Sequence, residues 1–90
     1  MEIGSIDYLN FYIHKDTIVN ILKMIEIQLN GKPHSLSEGV NVDSLLEELS
    51  IPKGKVAIEL NRKVLHKENY TKTVLKNNDQ VEIVTFIGGG

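Results

Sequence analysis

Few residues in this chain are equipped for chemistry. There is no cysteine. That excludes disulfides, thiolate metal sites, thiol nucleophiles and a cysteine persulfide. The three histidines, His14, His34 and His66, fall in different segments. No Ser-His-Asp or paired-carboxylate spacing accompanies them. No HxxxH or EF-hand pattern is present either, so no metal or other cofactor is expected. The histidines read as surface or packing residues. One stretch remains, "VEIVTFIGGG", from Val81 to Gly90. It runs a strand-like apolar segment directly into three glycines. A frayed end or a linker would account for glycine alone, but not for its direct junction with a core-like strand. Gly88 and Gly89 have no side chains and can lie extended in a narrow channel. They present the carboxylate of Gly90 at a distance from the fold. A carboxylate is a poor acyl donor. Adenylation makes it a mixed anhydride, open to attack by a sulfur or nitrogen nucleophile. On this reading the carboxylate of Gly90 is the reactive group. Gly88 and Gly89 are the threading residues.

The rest of the sequence must hold that terminus in place. Ile25, Ile27 and Leu29 alternate with Glu26, Gln28 and Asn30, the pattern of a half-buried strand. Asn30-Gly31 follows, the hairpin dipeptide whose two residues accept positive φ. A second strand is expected back through His34 to Leu36. Val42, Leu45, Leu46 and Leu49 place one apolar stripe on a helix. Asn41 is its expected N-cap, and Asp43 puts negative charge at the positive end of the dipole. Pro52 is expected to stop that helix, and Gly54 to relieve the turn behind it. "KVAIELNRKVL" reads as a strand, a tight turn at Asn61-Arg62 and a short strand. Tyr70 and the pair Val74-Leu75 anchor the next connection. Asn77-Asn78-Asp79 is turn chemistry. Val81 to Ile87 is the last strand, expected at the sheet centre and parallel to the first. The predicted fold class is α+β, a mixed sheet of four to five strands packed on one main helix, with a flexible C-terminal glycine tail. That is the β-grasp layout. On the last strand, Val81, Ile83 and Thr85 are expected to face the helix. Glu82, Val84 and Phe86 then face away, and Val84 and Phe86 form an apolar docking patch beside the tail unless a further strand or the N-terminal segment covers them.

The chain has 90 residues and a formal net charge of −2, with a pI near 5.9. That is one domain's length, with mixed charge and no basic stripe for nucleic acid. No apolar run is long enough to span a bilayer, and no secretory signal pattern opens the chain. A cytoplasmic protein is expected. "NRKVLHKE" gathers Arg62, Lys63 and Lys67 on what reads as a solvated hairpin. Residues 1–23 are apolar with mixed periodicity. Met24 could itself be a start codon, so they form an N-terminal extension, either native or an upstream start. The expected organisation is an extension over 1–23, a domain over 24–87 and the tail over 88–90.

"MIEIQLNGKPH", "VAIELNRKVL" and "TVLKNNDQVEIVTFIGGG" resemble the ThiS family, sulfur carrier proteins of thiamine (thiazole) biosynthesis. The resemblance runs from Met24 to Gly90 and is most specific at its end. The family usually has Asp-Gly-Asp where Asn77-Asn78-Asp79 stands here, an aromatic, often Trp, where Tyr70 stands, and frequently glycine where Arg62 stands. None of these departures touches the tail. The resemblance implies that the carrier catalyses nothing itself. A ThiF-type enzyme adenylates the Gly90 carboxylate with ATP. A donor system based on cysteine supplies the sulfur of the thiocarboxylate. A ThiG-type thiazole synthase receives it. Two alternatives remain at this stage. One is the small subunit of molybdopterin synthase, a MoaD-type carrier with the same chemistry. The other is a β-grasp binding module with no chemistry at its end. Ubiquitin-like conjugation is disfavoured, because the tail lacks basic residues.

Overall fold

The computed structural model describes residues 23–86. The expectations placed on residues 1–22, Ile87 and Gly88 to Gly90 lie outside the described residues.

Five strands form one sheet in the order β2-β1-β5-β3-β4. They are β1 (Met24–Leu29), β2 (Lys32–Ser37), β3 (Val56–Leu60), β4 (Lys63–Leu65) and β5 (Gln80–Thr85). A single α-helix, α1 (Val42–Glu48), and two short 3-10 turns, Lys53–Lys55 and Lys67–Asn69, complete the described residues. β1 and β2 are antiparallel and close through Asn30 and Gly31, with φ of 50° and 81°. Both residues of that turn need positive φ, which Asn tolerates and Gly adopts freely. β3 and β4 close the same way through Asn61 and Arg62, with φ of 51° and 70°. Arg62 takes a left-handed conformation at a cost on the order of 1 kcal/mol, because its Cβ crowds the next carbonyl.

β5 was expected in the centre and is there, parallel to β1 and antiparallel to β3. Centrality follows from composition. Val81, Ile83 and Val84 suit a strand with neighbours on both edges. Its ladder starts at Gln80, one residue before the expected start. It stops at Thr85, so Phe86 lies beyond it.

The core lies between the sheet and α1. Ile27, Leu36, Val42, Leu45, Leu46, Ile58, Leu75 and Val81 are fully buried. Tyr70 joins them, and burial raises its phenol above the ordinary tyrosine pKa. The helix starts where expected, since the Ser44 amide donates to Asn41 Oδ1 at 2.7 Å. That satisfies one of the helix's unpaired N–H groups.

Three details depart from the sequence reading. The chain reverses after α1 at Ser50, whose φ is 58°. Gly54 sits inside a 3-10 turn without positive φ, so Ser50 and not Gly54 absorbs the turn. Val74 is 49 % exposed while Leu75 is buried. A bridge between Asn41 and Val74 sets this pair on an extended segment, and alternation then turns them to opposite sides. Thr85 sits on the helix side of β5 by alternation yet is exposed. It pairs with Val56 in the last rung of the ladder.

Candidate docking face and tail attachment

The sheet has one covered face and one open face, and β5 contributes to both. Val81 and Ile83 point into the core at 0 % and 8 % exposure, while Val84 is 58 % exposed. This is period-two alternation acting on a strand that is apolar on both sides. Register supplies the neighbours. Ala57 pairs with Val84, and Glu59 pairs with both Glu82 on β5 and Val64 on β4. Val64 is 65 % exposed and Phe86 56 % exposed. Ala57, Val64 and Val84 therefore make an apolar strip on the open face, with Phe86 just past the strand end. A shallow depression of about 310 Å³ runs between Ala57, Ile58, Glu59, Val64, Glu82 and Val84. Two carboxylates, Glu59 and Glu82, face each other across its floor. Like charges directly opposite are mildly destabilising.

The expected docking residues Val84 and Phe86 are thus exposed. Among the described residues no further strand covers them. Ala57 and Val64 were missed. Each looks unremarkable alone, and they join the patch only once strand pairing sets Ala57 beside Val84 and Val64 beside Glu59. The sequence signal for Val64 was its place in a three-residue strand with inward Leu65.

Backbone bonds hold β5 as far as Phe86 on one edge and as far as Val81 on the other. On the β3 side, the Phe86 amide donates to the Lys55 carbonyl at 2.8 Å. On the β1 side, the amides of Gln28 and Asn30 donate to the carbonyls of Asp79 and Val81 at 2.8 and 2.9 Å. Phe86 is therefore the last described residue before the glycines, and its amide is fixed in the sheet.

The histidines do not converge. His34 Nε2 lies 3.1 Å from Glu48 Oε2, linking β2 to α1. His66 is exposed before a 3-10 turn, and His14 lies outside the described residues. Among the described residues, no three metal-binding side chains cluster. No described helix is long and apolar enough to cross a membrane. A roomier depression, about 550 Å³, lies at the other end of β1, lined by Met24, Ile25, Glu38, Gly39, Val74, Leu75, Lys76 and Asn77. It brings no nucleophile and base together.

Residues 27–90 match the ThiS family. The chain is 34% identical over 65 residues to the sulfur carrier protein ThiS of Bacillus subtilis, covering 71% of this chain and 98% of that protein. It is 42% identical over 66 residues to a thiazole synthase of Magnetococcus marinus, covering 73% of this chain but only 20% of the synthase. The chain therefore spans about a fifth of that enzyme's length. Among solved structures, the crystal structure of the thiamine biosynthesis protein ThiS from Geobacter metallireducens superposes with a TM-score of 0.63 at 38% identity. It covers 73% of this chain and all of that one, 100%.

Proposed function

The chain belongs to the ThiS family, small sulfur carriers of thiamine biosynthesis that are not themselves enzymes, and we propose that its working group is the carboxylate of Gly90. A carboxylate oxygen attacks the α-phosphorus of ATP in a ThiF-type partner. Pyrophosphate leaves, and Gly90 becomes an acyl adenylate. A persulfide of the donor system, its outer sulfur derived from cysteine, adds to the acyl carbon and AMP leaves, giving an acyl disulfide. A thiol of the donor system then attacks the inner sulfur, forming a disulfide on the donor and releasing the thiocarboxylate on Gly90. Gly88 and Gly89 thread the partner's channel, where any Cβ would widen the chain. Val84, Phe86 and Ile87 dock against the partner surface. The thiocarboxylate then gives its sulfur to a thiazole synthase. That partner is supported by the similarity of this chain to a segment of a thiazole synthase. An ATP-dependent partner fits a cytoplasmic setting.

The observation that carries this reading is the open, apolar side of β5. Val84 and Phe86 are 58 % and 56 % exposed on the strand that leads into the glycines. A binding module without end chemistry explains the patch but not the tail. The family match to ThiS favours thiamine over molybdopterin. Residues 1–23 are proposed as an extension outside the carrier domain, since the family match begins only at residue 27. ATP–pyrophosphate exchange by a ThiF-type enzyme tests the activation step. Exchange that depends on this chain supports it. Exchange driven only by a molybdopterin-branch enzyme would overturn the thiamine assignment.

A further inference from the structure

β1 ends at Leu29, but β5 continues to Thr85. On the β1 side, backbone pairing of β5 reaches only Val81, which accepts from the Asn30 amide at 2.9 Å. The next rung is filled by a side chain. The Ile83 amide donates to Asn30 Oδ1 at 2.7 Å, and Asn30 Nδ2 donates to the Ile83 carbonyl at 3.1 Å. A carboxamide offers the same donor and acceptor as a peptide group. Asn30 therefore extends β1 by one rung without extending its backbone, which has already turned into the hairpin at φ 50°.

We propose that Asn30 is a positioning residue for the tail. It clamps β5 three residues before Phe86 and so fixes the direction in which the chain leaves the sheet toward Gly88 to Gly90. The inference rests on the functional reading above. A tail launched from a fixed point samples a smaller volume, and delivery of a reacting group depends strongly on such pre-orientation.

Asn61 provides an internal control. It begins the other left-handed turn, at φ 51°, and its side chain also holds β5. Its Oδ1 accepts from the Gln80 amide at 2.9 Å, and its Nδ2 donates to Asp79 Oδ1 at 3.0 Å. Asn30 and Asn61 are similar clamps on one strand, at the tail end and at the far end. Glycine keeps the positive φ at either site. Asn30→Gly and Asn61→Gly should therefore cost similar stability while differing at the tail.

The experiment compares both variants in the full chain, using carrier-dependent ATP–pyrophosphate exchange and amide hydrogen exchange. Asn30→Gly is expected to lower kcat/KM for the carrier by about tenfold, a modest share of what misplacement of a reacting group can cost. Asn61→Gly should stay within about twofold of the parent at matched folded fraction. Protection of the Ile83 amide should fall about tenfold further in Asn30→Gly than in Asn61→Gly, as local opening would require. Equal exchange kinetics for the two variants would overturn the positioning role. If the parent chain itself supports no exchange, the functional reading fails. The Ile83 protection then still decides whether the clamp exists. A variant of Asn30 that is unfolded is replaced by Asn30→Asp, which keeps the acceptor for the Ile83 amide and loses only the donor. Its Ile83 carbonyl rung should open while the turn survives.

Discussion

β5 carries apolar residues on both faces, and the fold covers only one of them. Val81 and Ile83 are packed in the core with the α1 residues, whereas Val84 stands open beside Ala57. The two faces differ little in residue type and greatly in surroundings. Hydrophobic residues on the covered face supply stability through area removed from water. Those on the open face gain less from folding, and exposed apolar groups gathered on one face signal association. One strand thus holds the domain together with one face and, on the function proposed above, offers the other to a partner.

The largest effect should come from the tail. Deleting Gly89 and Gly90 should abolish thiocarboxylate formation. The midpoint of chemical unfolding should hold within about 0.5 kcal/mol, as for other changes away from the core. A substantial loss of stability would mean that the tail is part of the fold. On the covered face, Ile83→Ala should destabilise by about 2–5 kcal/mol, with the lower end favoured at this strand end. Equilibrium urea unfolding measures this. On the open face, Phe86→Ala should weaken binding to the adenylating enzyme by about tenfold, near 1.4 kcal/mol, with stability almost unchanged. Titration calorimetry separates these outcomes, and loss of stability without loss of binding would reverse the roles assigned to the two faces. The smallest effect concerns the charge pair. Glu82→Lys turns a repulsion with Glu59 into an attraction and should stabilise the sheet by about 0.2–1 kcal/mol. The gain should shrink in high salt.

Much of this division is legible in the residues themselves. The helix stripe from Val42 to Leu49, the Asn41 cap and the hairpin at Asn30-Gly31 all announce their geometry locally. So does the alternation of Val81 to Val84. Ala57 and Val64 were not legible as patch residues, because membership depends on which strands pair and in what register. The clamp by Asn30 was hidden for a related reason. Its turn role is local, but its bonds to Ile83 join residues 53 apart in sequence. The reversal at Ser50 escaped because serine gives little warning of positive φ, and Gly54 was the more conspicuous residue nearby. The role proposed for Gly90 rests on the sequence and the family match, since that residue lies outside the described ones.

The most direct test of the account is the intact mass of the chain after incubation with ATP, a ThiF-type enzyme and a cysteine-based sulfur source. Replacing one carboxylate oxygen by sulfur should add about 16 Da, localised by fragmentation to Gly90. An unchanged mass when the same mixture thiocarboxylates an authentic ThiS carrier, or the added mass on any other residue, would contradict it.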